Sequence, residues 1–322
     1  MSGIPHELEQ DLRRARRLEL WTLAWMASIV AVMYLAMGAS KAMQSALIED
    51  LLSLVPAVTW LLALRFERKD ATEKFPFGFV RVNSLAFLIA AVALTMVGGF
   101  IAYESITTLL MQEHPTVPPV KLFGQDIWLG WLMIAALAYS IVPPVILGHL
   151  KQPVATRLRD KVLHTDALMQ KADWQTGLAG ILGVLGIGLG YWWADSVAAG
   201  FIALSILKDG ISNMRTAAAE LLDGAPRALE GPEISPEAQR LVQRLQSLWP
   251  EGGVRLRESG RYVFATIEGV QQPTELPPAA ELMGDDPAWR LGRLDFASGV
   301  GSEDGARSRA GAEGRNADSR KR

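Results

Sequence analysis

The chain has 322 residues, half of them apolar, and 32 Lys and Arg against 34 Asp and Glu leave it with a formal charge of -2 and no cysteine. Without cysteine, disulfides, thiolate metal sites and cysteine nucleophiles are excluded. A nucleic-acid partner is disfavoured too, because the basic residues sit beside apolar segments, where topology accounts for them.

The apolar residues are bunched. Residues 20–40, 82–103, 127–148 and 174–194 contain no Asp, Glu, Lys, Arg or His. Each stretch is long enough to cross a hydrocarbon core of ~30 Å at about 1.5 Å per helical residue. The first is also too long for the apolar region of a signal peptide, and no small-x-small cleavage site follows it.

In chain order, an N-terminal arm (1–19) carrying Arg13, Arg14, Arg16 and Arg17 precedes a first span. A second span is read over 45–66, apolar except for Glu49, Asp50 and Arg65, and the third and fourth are the charge-free stretches at 82–103 and 127–148. The run Gly186-Ile-Gly-Leu-Gly190, followed by Tyr191, Trp192 and Trp193, reads as a tight turn with interfacial aromatics. It divides the next region into a fifth span near 163–188 and a sixth near 191–213.

Lys and Arg then alternate with each crossing. The loop after the second span holds Arg65, Arg68, Lys69, Lys74 and Arg81, and the loop after the fourth holds Lys151, Arg157, Arg159 and Lys161. The first and third connections hold only Lys41 and Lys121, and the fifth holds none. That pattern predicts six helices with both termini in the cytoplasm, in the inner cell membrane.

Ionisable residues inside a span are costly and mark function by default. Glu49 and Ser53 share one face of the second span at i, i+4; Asp166, Met169 or Gln170, and Asp173 share one face of the fifth. Counting helical rises puts Glu49 ~10 Å below the outer surface and Asp173 ~15 Å above the inner one, so two antiparallel helices can bring them together near the midplane. Two carboxylates there repel unless a proton or cation lies between them. No nucleophile-plus-base constellation appears, which argues against an enzyme. His164, at the cytoplasmic lip of the fifth span, is read as a satisfied interfacial residue.

These residues resemble the cation diffusion facilitator family over roughly 15–300. Phe75-Pro-Phe-Gly-Phe-Val-Arg81 is similar to the family's His-Pro-Phe-Gly-His-Gly-Arg loop, and Asp166-Ala-Leu-Met-Gln-Lys-Ala-Asp173 to its Asp-Ala-Leu-His-x-x-x-Asp segment. Trp193-Ala-Asp195 and Leu221-Leu-Asp-Gly-Ala-Pro226 resemble the start and exit of its sixth helix.

The resemblance implies a metal quartet at Glu49, Ser53, Met169 and Asp173, with Asp50, Asp166 and Gln170 as additional ligands. A Ser and a Met replace two strong ligands and no His remains, so manganese, iron(II), magnesium or cobalt become at least as suitable as zinc. Phe75 and Phe79 stand where the family has histidines, so no second metal site is expected in that loop, where Gly78 and Arg81 serve as turn and charge anchor.

After Pro226 the composition changes. Residues 236–249 read as an amphipathic helix, 254–257 and 262–267 as strands joined at Ser259-Gly260, 278–282 as a helix start, and 291–297 as a last strand. That order resembles the family's cytoplasmic ferredoxin-like dimerisation domain (227–299). No His follows residue 164, so no histidine-based regulatory site is expected there. Residues 300–322 are polar and expected to be disordered.

The fold class expected is an all-α six-helix transmembrane bundle (20–226) with a small α+β cytoplasmic domain. The function expected is a homodimeric, multi-pass transporter in the lipid bilayer, without cofactor, exporting a divalent cation by proton antiport. The rival readings are a non-transporting cation sensor or scaffold of the same fold, and a transporter of monovalent cations or protons.

Overall fold

The computed structural model describes residues 6–36, 50–112, 119–122 and 125–297. Residues 45–49 of the expected second span, Glu49 among them, and the tail 300–322 therefore lie outside the described residues. The chain divides into two compact units: 1–235 with 258–261, and 236–257 with 262–322. The sequence put the boundary at 226/227 and did not foresee that residues 258–261 pack with the first unit.

The first unit is built from long helices: α1 (Glu9–Ala36), α2 (Val55–Glu67), α3 (Val82–Met111), α4 (Leu129–Leu158), α5 (Lys161–Gly188) and α6 (Ala194–Leu221). A short helical segment at 50–52 and a turn at Ser53 and Leu54 precede α2, which opens with Pro56 in its first turn. Proline fits there because its missing N–H has no intrahelical acceptor to lose. Three helical segments, Val82–Met111, Ile134–Leu158 and Ser196–Leu221, are long and apolar enough to cross a membrane.

Their exposed surfaces say the same. On α3, Leu85, Ile89, Val92, Met96 and Tyr103 are exposed at helical spacing, while Ala86, Ala90, Leu94, Val97 and Ile101 on the opposite face are buried. An apolar stripe of that extent suits lipid, not water.

The fourth span begins and ends later than the sequence reading placed it. Residues 127 and 128, read as the start of the fourth span, belong to an antiparallel hairpin, β1 (Pro119–Leu122) against β2 (Gln125–Trp128), with Pro119 opposite Trp128 and Leu122 opposite Gln125. At the other end α4 continues past the charge-free window to Leu158, so Lys151 and Arg157 lie on the helix. The connection to α5 is reduced to Arg159, at φ 49°, and Asp160. A helix ends where its backbone hydrogen bonding stops, and a hydropathy window registers only where charges resume.

α3 packs most extensively on α6, and α4 on α5. Leu94, Val97, Ile101, Met169, Ala172, Ala203 and Ile206 form the buried core among α3, α5 and α6. Glycines set the closest approaches. A Cβ on Gly98 would lie 2.9 Å from the backbone N of Leu207, and one on Gly210 would lie 2.8 Å from the backbone N of Thr95. Small residues let membrane helices approach this closely.

The second unit contains α7 (Pro236–Leu248), β3 (Gly253–Ser259), β4 (Tyr262–Glu268), α8 (Ala279–Met283), a 3-10 turn at Ala288–Arg290 and β5 (Leu291–Ala297). The sheet order is β3-β4-β5, and β4 runs parallel to β5 with Ile267 opposite Phe296. Leu241 and Leu245 of α7, Val263, Ala265 and Ile267 of β4, and Leu282 and Met283 of α8 fill its core. Alternation along β4 and i, i+4 spacing along α7 turn these residues to one side.

Adjacent glycines of α3 test the close packing. Gly98→Ala is expected to destabilise the protein by ~1–3 kcal/mol, the usual cost of overpacking. Gly99→Ala, whose Cβ would meet only Leu207 Cδ2 at 4.0 Å, is expected to be neutral or stabilising by at most about 1 kcal/mol. Thermal unfolding in detergent separates the two.

Candidate cation site

Asp173 lies on α5, one residue before a stretch in which the sequence carries no charge until Asp195. Ser53 lies in the turn that leads into α2, fully buried, and its Oγ donates a hydrogen bond to Asp173 Oδ1 at 2.6 Å. The second and fifth expected spans therefore do meet, through two of the four quartet residues. A short, charge-assisted bond of this kind helps to make a carboxylate tolerable at such a place.

Met169, one turn before Asp173, is fully buried. Leu52 and Val55, the neighbours of Ser53 and its turn, pack against the core cluster that contains Met169. A polarizable thioether, a hydroxyl and a carboxylate thus border one small region between the turn before α2 and α5. Thr176 Oγ1 donates to the carbonyls of Ala172 and Asp173, fixing its own side chain against the α5 backbone. Among the described residues, no group of three or more His, Cys, Asp and Glu side chains comes together. This follows from the Ser and Met in the quartet and from Glu49 lying outside the described residues.

The additional candidates separate. Asp50 stands in the short helical segment at 50–52, half-buried. Gln170 is fully buried and neither its amide N nor its amide O has a hydrogen-bond partner among the described residues. Asp166 is committed elsewhere: it pairs with Lys151 of α4, which also reaches Glu19 of α1 at 3.1 Å. Asp166 and Asp173 are seven residues apart, about 10 Å along the helix axis. His164 is nearly buried. In the loop before α3, Phe75 and Phe79 stack with ring centroids 4.9 Å apart, Gly78 takes φ 74°, and Arg81 pairs with Asp223 just beyond α6. The turn and charge-anchor roles read for Gly78 and Arg81 are thus visible as geometry.

Sequence reasoning missed two buried ionic groupings in the first unit. Arg261 bridges Asp160 at 2.8 Å and Glu67 at 3.3 Å, and Trp60 Nε1 donates to the same Asp160 oxygen that takes the guanidinium. Beside it, Lys161 joins Glu220 at 3.2 Å and Glu258. Burial pushes the Glu67 carboxyl above the usual carboxylate range, with Arg261 opposing. Lys161 had been counted as a topology lysine, and nothing in its local sequence distinguishes it from one.

Helical packing of this kind, with apolar outer faces and a buried hydroxyl–carboxylate contact between segments far apart in sequence, fits a membrane-embedded helical protein. Residues 20–222 match the cation efflux transmembrane domain family, and the chain belongs to it.

Relatives include a probable cation efflux system protein of Mycobacterium tuberculosis, 27% identical over 263 residues covering 80% of this chain and 71% of that protein. The zinc transporter ZitB of Escherichia coli is 24% identical over 200 residues, 58% of this chain and 56% of its own. The manganese efflux system protein MneS of Bacillus subtilis is 22% identical over 185 residues, 58% and 60% respectively. The chain thus spans a little over half the length of these last two.

Removing the cation of one grouping tests what burial implies. Lys161→Met leaves Glu220 and Glu258 without their shared ammonium and is expected to cost ~3–5 kcal/mol, the usual penalty for breaking a buried pair. Thermal melts should show the loss, and restoring the charge with Lys161→Arg should recover part of it.

Proposed function

We propose that this protein exports a divalent metal cation from the cytoplasm in exchange for protons. It would act as a homodimer in the inner cell membrane, with six spans and cytoplasmic termini. The observation that carries the reading is the buried hydrogen bond from Ser53 to Asp173, which joins the second and fifth spans at a carboxylate. Support for the class of substrate comes from the family. Relatives named for zinc, for manganese, and for cadmium, cobalt and zinc with protons and potassium bracket the chemistry.

Asp173 and Glu49 supply the charge, Ser53 a hydroxyl oxygen and Met169 a thioether, with Asp50 and Gln170 near enough in sequence to supplement them. Oxygen-rich sets suit manganese, iron(II) and magnesium, whereas the thioether extends the range toward cobalt and zinc. In the cation's absence Ser53 holds Asp173 through its hydroxyl proton. An arriving cation would displace that proton's interaction and take the same oxygens. Release to the far side leaves the carboxylates to protons, since a bare pair is too costly in a low-dielectric interior. Alternating exposure of such a site by rocking helices is the general mode for secondary transporters.

The replacement of two strong ligands by Ser53 and Met169 favours a second reading, a cation sensor or scaffold that binds without transporting. Proteoliposomes separate the two. Asp173→Asn is expected to abolish manganese or zinc flux. Ser53→Ala, which removes the orienting hydrogen bond, should weaken cation affinity by about 10–100-fold, the range seen when a ligand's supporting contact is lost. Wild-type binding without flux would favour the sensor, and unchanged flux in Asp173→Asn would refute the site.

A further inference from the structure

The loop that joins α2 to α3 has no part in that site. Its centre is a four-residue turn, Phe75-Pro76-Phe77-Gly78, closed by the Gly78 N–H donating to the Phe75 carbonyl at 3.0 Å. Proline second and glycine fourth are residues such a turn favours, and the third residue stands at its corner. The backbones of Thr72 and Phe75 exchange hydrogen bonds at 3.2 and 3.0 Å, which pins the base of the turn. Phe77, at the corner, is 82% exposed and Phe75 is 53% exposed. A ring held out in this way forfeits burial worth ~1.5–3 kcal/mol if only water meets it.

Two further observations say what covers it. The first is continuity with an apolar outer face. Val58, Leu62 and Phe66 are exposed at i, i+4 and i+8 along α2. Phe66 ends that stripe with its ring centroid 6.3 Å from that of Phe79, and Phe79 stacks on Phe75. The aromatic cluster thus prolongs the outer face of the second span into the loop. The second observation is charge. Arg65, Arg68, Lys69 and Lys74 are exposed in and beside this loop against Asp70 and Glu73, and Lys69 Nζ sits 4.3 Å from the Phe66 ring centroid. Arg81 is engaged by Asp223. Topology asks only that basic residues collect on one side of the membrane; it does not ask that phenylalanines be held out among them. Exposed rings with cations beside them match the layer where acyl chains meet anionic headgroups.

We propose that this loop is a membrane-surface anchor selective for anionic phospholipid. Phe75 and Phe77 enter the headgroup layer of the leaflet in which the second span ends, and Arg68, Lys69 and Lys74 hold lipid phosphates there. Because the turn is already closed, insertion requires little further ordering of the chain. The inference rests on the chain spanning a membrane and needs neither metal nor flux, so it stands or falls apart from the Ser53–Asp173 site.

The chain has no cysteine, so Phe77→Cys places a single nitroxide label on the full-length protein. In nanodiscs of phosphatidylcholine containing phosphatidylglycerol, the nitroxide should be open to oxygen and shielded from a water-soluble nickel chelate. A label at Arg255→Cys in the sheet unit, where the native side chain is 76% exposed, gives the reference for full access. Titrating phosphatidylglycerol into the nanodiscs then yields an apparent affinity for the anionic lipid. Lys69→Ala and Lys74→Ala, each in the labelled background, should weaken it about fivefold, the loss of one cation beside a charged surface. Added salt should act in the same direction. A nitroxide at position 77 as open to the chelate as the reference label overturns the proposal. So does shielding that is the same without phosphatidylglycerol and unmoved by both lysine variants. Shielding accompanied by spin–spin broadening between two labels makes a second copy the occupant and overturns it as well.

Discussion

A carboxylate at the edge of a run of 21 residues without charge (174–194) is expensive, and the hydrogen bond from Ser53 to Asp173 helps to hold it there. That bond also ties the turn before α2 to α5, so the electrostatic demand of one side chain fixes the relation of two helices distant in sequence. The close α3–α6 contact, which depends on Gly98 and Gly210, and the shared core of Leu94, Val97, Met169 and Ile206 set α5 in place for it. Packing and charge serve the same end here. The apolar core positions the group, and the polar contact gives it a reason to stay where a cation could reach it.

The same physics recurs with a different outcome among the other buried ions. Arg261 with Asp160 and Glu67, and Lys161 with Glu220 and Glu258, are groupings in which one buried cation bridges two carboxylates. Such groups stabilise little in net terms, because desolvation offsets attraction, but they are severe in their geometric demands. At Asp173 the contact from the turn before α2 comes from a hydroxyl donor, Ser53.

Much of this was legible in the sequence for plain reasons. Long charge-free runs declare helices in an apolar medium, and the spacing of Met169 and Asp173 follows from 3.6 residues per turn, while Ser53 was set beside them by the family resemblance. The ends of elements were less visible. Lys151 looked like a loop lysine because hydropathy changes at Gly148, yet α4 continues to Leu158 and carries the ammonium inward to Glu19 and Asp166. Asp166 was accordingly read as a ligand when its partner is a lysine fifteen residues earlier. Pairings between Trp60 and Asp160, or Glu67 and Arg261, join positions about a hundred or more residues apart, and no local pattern encodes them. In the sheet unit, where alternation and short turns dominate, the strand at Leu291–Ala297 was readable from the sequence alone.

The central claim is that Asp173 and the second span hold a cation between them. Anomalous scattering from manganese-loaded crystals of the full chain tests it most directly. The account predicts one strong peak in the helical unit beside the Asp173 carboxylate, in reach of Ser53 and Met169 and absent from crystals of Asp173→Asn. A peak at Asp166 in place of Lys151, or one confined to the sheet unit with nothing at Asp173, would contradict it.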